Sequence, residues 1–203
     1  MKGTRVFAAV VALFAFSAVG IHAEDWKLDK THSNVGFTVR HMLVSKVNGH
    51  FKDFDATVTF DPANIANSSV EFTVQTTSIS TDNERRDNHL RSGDFFLVDS
   101  FPQMTFKSTK LELGTGDNFK IMGDLTIRGT TKPVTFDVVK NGMIETARGD
   151  RAGFSATATI KRMEFGVQWN AALETGGLVV SDDVTINLEI QLVKPKPEPA
   201  PKG

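Results

Sequence analysis

Apolar side chains return at every second position in run after run along most of this chain, and that period fixes the kind of element it builds. Val35, Phe37 and Val39 alternate with Gly36, Thr38 and Arg40, and Phe54, Ala56, Val58 and Phe60 with Asp55, Thr57 and Thr59. The pattern continues through Val70/Phe72/Val74, Met104/Phe106, Phe119/Ile121/Gly123/Leu125/Ile127 and Val134/Phe136/Val138. It closes with Phe154/Ala156/Ala158/Ile160 and Val184/Ile186/Leu188/Ile190/Leu192. Period two means one buried face and one wet face, as in an antiparallel sheet. Turn signals at Asn48-Gly49, Asp61-Pro62, Gly114-Thr115-Gly116-Asp117, Asn141-Gly142 and Gly176-Gly177 separate the runs. The expected class is all-β, with about eight strands in a sandwich or a closed up-and-down barrel. The length of the runs favours the barrel.

Both ends of the chain read differently. Lys2 and Arg5 precede an apolar run from Val6 to Val19, and Ile21-His22-Ala23 follows, the layout of a secretory signal cleaved after Ala23. The run is too short for a span of about 20 residues. Its removal takes two positive charges from a formal net charge of -1 and leaves -3. At the other end, Lys194-Pro195-Lys196-Pro197-Glu198-Pro199-Ala200-Pro201 holds four of the seven prolines and reads as an extended, disordered tail. The expected division is a signal at 1–23, one barrel at 24–193 and a tail at 194–203.

Composition then removes function classes. Zero cysteines rule out disulfides, thiolate metal sites and a Cys nucleophile. Sixteen Phe against no Tyr supply aromatic bulk without hydroxyls that need partners, so the interior should be dry and suited to an apolar ligand. Net acidity and inward Phe oppose nucleic-acid binding. No G-x-S-x-G, Walker loop or HExxH is present. His32, His41 and His50 stand nine apart and His89 is remote, which favours hydrogen-bonded or surface histidines over a zinc site. Neither metal nor cofactor is expected. One segment departs from the strand pattern: Thr81-Asp82-Asn83-Glu84 fits a capping box with Thr81 as N-cap. A short helix should follow to Arg91, with an Asp87–Arg91 pair and Gly93 near its end. Having only Leu90 as an apolar residue, it should lie over an end or side of the sheet.

Thr31-His32-Ser33-Asn34-Val35-Gly36-Phe37, then His41 and Gly49-His50-Phe51, resemble the opening of the YceI family. Arg86-Asp87-Asn88-His89-Leu90-Arg91-Ser92, Asp94-Phe95-Phe96 and Phe101-Pro102-Gln103-Met104-Thr105-Phe106 resemble its central signature. Gly123-Asp124-Leu125-Thr126-Ile127-Arg128-Gly129 and Arg162-Met163-Glu164-Phe165-Gly166-Val167 match two further blocks, with Glu164 where the family often has Asp. The resemblance covers 25–193. It implies a lipocalin-like antiparallel barrel around a long apolar tunnel, binding polyisoprenoid, isoprenoid quinone or another long-chain lipid, and export to the periplasm.

The ligand-facing candidates are Phe37, Val39, Phe54, Phe60, Phe72, Val74, Phe106, Leu125, Ile127, Phe136, Phe154, Ile160, Phe165, Trp169, Ile186 and Leu188. Asp82, Arg86, Asp87 and His89 are candidates for contacts at a tunnel mouth or with a head group. The expected function is lipid binding for transport, storage or sequestration, without catalysis. The alternative is an enzyme acting on an apolar molecule at the mouth. Oligomeric state is left open, a homodimer included.

Overall fold

The computed structural model describes residues 24–42, 44–172 and 178–195. The signal at 1–23, the Gly176-Gly177 turn and the tail from 196 onward lie outside the described residues. In chain order the elements are β1 (Glu24–Leu28), β2 (Asn34–His41), β3 (Ser45–Phe51), β4 (Phe54–Phe60), β5 (Ser69–Gln75) and β6 (Ile79–Ser80). Among the described residues one α-helix, α1 (Glu84–Arg91), precedes β7 (Gln103–Leu113), β8 (Asn118–Ile127), β9 (Thr130–Ile144), β10 (Gly149–Lys161) and β11 (Val180–Pro195).

Every pairing is antiparallel, and from β7 to β11 each strand pairs with the next in sequence. The first strands come in broken pairs. β1 and β2 both lie along β11, through Leu28↔Leu192 and Asn34↔Glu189, with a 3-10 turn at Lys30–His32 between them. β4 then pairs with β1 and β3 with β2, while β5 pairs with β4 and β6 with β3. Counted as staves, β1–β2, β3–β4 and β5–β6 join β7 to β11 in a closed eight-stranded barrel. Inward positions follow the period-two reading: Phe106, Leu125, Ile127, Phe136, Val138, Phe154 and Ile160 are all buried.

Two expected turns are strand interior instead. Asn48 and Gly49 sit within β3, opposite Thr38 and Phe37. A Cβ on Gly49 would lie 2.3 Å from the Phe37 ring, so this glycine leaves room for a ring across the strand. Asn141 and Gly142 fall within β9, where Gly142 faces Gly153 beside a register shift. A bulge, rather than a reversal, uses the small residues there. β11 also runs through Lys194 and Pro195, paired with Asp150 and Gly149, two residues beyond the expected end of the barrel. Pro lacks only a donor, and the end of a strand tolerates that loss.

The β1–β2 break is organised by Asp29. Its carboxylate accepts from the Thr31 backbone N–H at 3.1 Å, the Thr31 hydroxyl at 2.6 Å and Gln191 Nε2 at 3.0 Å, with His32 Nδ1 at 2.9 Å. The Thr31 hydroxyl first, then His32 and the Thr31 N–H, outweigh burial and hold the carboxyl at about 2. A folded-state pKa below the unfolded value means stability that is present above about pH 4 and lost as pH falls toward 2. Acid titration of urea stability should therefore show about 1–2 kcal/mol lost between pH 5 and 2 that is missing in Asp29→Asn. Parallel pH profiles for the two proteins would remove Asp29 as the cause.

Candidate functional site

The barrel encloses a cavity of about 460 Å³ whose wall is almost wholly carbon. Its floor is aromatic. Phe60 and Phe154 meet edge to face at 5.3 Å, Phe119 joins Phe154 at 6.2 Å, and Trp26 backs Phe60 at 5.4 Å. Above them Phe106 and Phe136 meet at 5.2 Å, and Leu125, Ile127, Ile186 and Leu188 complete the middle of the wall. Edge-to-face packing fixes these rings without any polar atom entering the bore.

The opposite end is where polar groups gather. β6 forms the limit of the hydrogen-bonded ladder, and α1 lies against it. Arg91 donates from Nε to Thr77 O and from Nη2 to Ile79 O, each at 2.9 Å, so a guanidinium serves the edge carbonyls that another strand would serve. Its third contact is Asn88, and the expected Asp87–Arg91 pair does not form. Asp87 is instead buried, and one oxygen accepts from both the Thr81 N–H at 2.9 Å and the Thr81 hydroxyl at 2.5 Å. Thr81 in turn accepts from Arg86, Nε to Oγ1 at 2.7 Å and Nη2 to the carbonyl at 2.8 Å. With Thr81 so occupied, the helix N-cap is Asn83, whose side chain accepts from the Arg86 N–H. The N-cap expected at Thr81 is thus displaced by two residues to Asn83, and the expected capping box does not form, because a buried carboxylate competes for the threonine.

His89 stands between two rings, 5.0 Å from Phe95 and 5.0 Å from Trp169, with Nε2 2.8 Å from Asp94 Oδ2. Phe96 continues the aromatic rim onto Phe51 at 5.9 Å, and Phe51 onto Phe37 at 5.8 Å. Arg86 and His89 line both the cavity and an exposed depression bordered by Asn83 and Arg85, so these two side chains stand between the cavity and the surface beside α1. Arg162, buried at the same end, gives Nη1 to Val167 O and Trp169 O and Nε to Ser181 O. Burial pushes its pKa down, partly offset by Asp182. Its task is to fold the segment that presents Phe165 and Trp169 to the cavity.

All the apolar candidates except Phe54 line this cavity. Phe54 is buried at the β3–β4 break, stacked on Phe72 at 5.9 Å, and meets no open space. Of the mouth candidates, Arg86 and His89 line it, while Asp87 faces Thr81 and Asp82 is exposed outside it. Sequence reasoning passed over Phe95, Phe96, His41 and Arg162 as lining residues. The first two were visible as an aromatic pair after the helix, but nothing in the sequence shows a loop folding inward. Among the described residues no three His, Asp or Glu side chains gather as a metal site, and no helix is long and apolar enough to cross a membrane.

The YceI-like domain model matches residues 26–192. The chain belongs to the YceI-like family. A UPF0312 protein of Staphylococcus aureus (strain USA300) is 40% identical over 162 residues, 79% of this chain and 92% of the relative. Among solved structures, the Campylobacter jejuni YCEI protein is similar at 33% identity and a TM-score of 0.68, covering 85% of this chain and 99% of that one. BcnA of Burkholderia cenocepacia is similar at 27% identity and a TM-score of 0.72, covering 81% of this chain and 98% of that one. A polyisoprenoid binding domain from Saccharophagus degradans, implicated in plant cell wall breakdown, shares the fold at 14% identity and a TM-score of 0.59.

Asp87 is the strut of the YceI-like mouth. Asp87→Ala leaves a buried Thr81 N–H without an acceptor and should lower stability in urea by about 1–3 kcal/mol. Asp87→Asn keeps an oxygen that can accept both bonds and should lose less. Equal losses in the two variants would show that the carboxylate charge, rather than the acceptor, holds the helix.

Proposed function

We propose that this protein binds a polyisoprenoid or a similar long apolar chain, such as an isoprenoid quinone, inside the barrel for transport, storage or sequestration. The observation that supports the reading is a carbon-lined bore, with aromatic rings packed edge to face at one end and Arg86 and His89 at the other. A volume of about 460 Å³ falls among small-molecule sites of roughly 300–1,000 Å³. Burying about ten carbons at about 0.8 kcal/mol each gives a gross 8 kcal/mol before ordering costs. That is about the free energy of micromolar binding, so the tail can dominate and the head group can be loosely specified. The commitment of Asp87 to Thr81 supports binding over catalysis at the mouth. The charged start and short apolar run of the N-terminal 23 residues support export to the periplasm with removal of that segment.

Organic extraction and mass spectrometry of protein purified from its natural host should recover an isoprenoid-type lipid. Consistently empty protein, under conditions that retain lipid on a control carrier, would overturn the proposal. Substitutions should separate wall from bore. Phe106 is buried against Phe136, and Phe106→Ala should cost about 3–5 kcal/mol in urea. Phe37 is half-buried and faces the cavity. Phe37→Ala should cost clearly less, while weakening binding of a fluorescent polyisoprenoid analogue at least severalfold. Similar stability losses with unchanged affinity in the folded protein would point to a filled barrel.

A further inference from the structure

The β2–β3 hairpin beside the cavity mouth has an unusual tip. Met42 stays 43% exposed and Val44 84% exposed, and Met42 takes a positive φ of 50° that a turn ordinarily assigns to Gly or Asn. The Met42 N–H donates to Val179 O at 2.8 Å, which brings Leu178, also 43% exposed, to the same rim. The residues behind this apolar tip are part of the cavity wall: Val39, His41 and Val47 on the hairpin, Val179 and Val180 beside Leu178. Exposed apolar side chains outside are therefore only one to three positions in the chain from residues of the cavity wall.

Charge follows the same layout. Arg40 and Lys46 face each other across the hairpin, both exposed, one step behind the tip. Like charges directly opposite on a sheet are destabilising, and among the described residues neither cation makes an ion pair. Nearby acids are occupied elsewhere: Asp183 pairs with Lys161, and Asp182 accepts from the Met163 N–H. An apolar tip backed by unpaired cations matches a lipid surface, where apolar side chains enter the acyl boundary and Arg and Lys meet phosphate.

We propose that the β2–β3 tip, with Leu178, docks the barrel on a bilayer bearing anionic phospholipid head groups, so that a lipid passes between membrane and cavity without crossing water. The inference rests on the reading of the cavity as a lipid site, but its test is separate. Residues 24–203 should float with vesicles of phosphatidylglycerol and phosphatidylethanolamine and much less with phosphatidylcholine alone. Val44→Asp and Met42→Asp should each lower the bound fraction at least fivefold. Arg40→Gln with Lys46→Gln should lower binding to the anionic vesicles by roughly tenfold or more, and added salt should mimic that loss. Circular dichroism and melting temperature verify that the variants stay folded. Capture of a fluorescent polyisoprenoid analogue delivered in detergent micelles should be unchanged in all of them.

No flotation of the parent protein, or flotation unchanged by Val44→Asp, overturns the docking surface, even where micelle capture succeeds and the cavity reading stands. Failure of micelle capture in the parent protein counts against the cavity reading instead. A parent dimer that Val44→Asp converts to monomer in sedimentation, without loss of flotation, would assign the tip to a second copy of the chain and also overturn the proposal.

Discussion

A sheet that encloses space must leave no strand edge open, and each unusual feature of this barrel answers that requirement. Unpaired edge N–H and C=O groups are a template for association with other chains. Most of the circumference is closed by long backbone ladders, from β5 through β7 to β11. The direct join of β1 to β11 is short, Lys27↔Val193 and Leu28↔Leu192, and Asp29 buttresses it through Gln191. At β6 the backbone supplies no further strand, and Arg91 takes over with two donors on the carbonyls of Thr77 and Ile79. The mouth is thus a consequence of where the ladder stops.

Much of this was legible in the sequence, because a strand's face is a local property. Phe106, Leu125 and Phe136 point inward by parity alone, and the cavity wall followed from the same count. What parity could not show is where a stave breaks. Phe54 has the parity of Phe72, yet it lies at the β3–β4 break and packs behind the bore. Asn48-Gly49 carries a strong turn signal, but the glycine is needed for the Phe37 ring on the adjacent strand. That is a contact between residues twelve apart, invisible to a local rule. Thr81 and Asn83 are both good caps, and only the buried Asp87 carboxylate decides between them.

Arg162 is the residue furthest from sequence logic. A buried guanidinium normally prompts a search for a carboxylate partner, yet its close acceptors here are main-chain carbonyls of Val167, Trp169 and Ser181. Acceptors of that kind have no residue type and leave no trace in a sequence. Its burial is compensated by several hydrogen bonds at once, the condition under which a charge can be held away from water.

The replacement of backbone ladder by arginine at one end has a mechanical consequence. Paired strands lie about 4.8 Å apart, a spacing that cannot stretch without breaking hydrogen bonds in series. The bore between β7 and β11 is therefore stiff in girth. Between β6 and β7 the wall is spanned by the segment from Thr81 to Phe101, tied by Arg91 and, from the β8–β9 turn, by Arg128 to the carbonyl of Phe95. Long side chains reorient through single-bond rotations and can keep their acceptors over a range of distances. That panel is held by side-chain ties rather than by a ladder, so the constraint that sets the gauge of the deep end does not extend to the helix end.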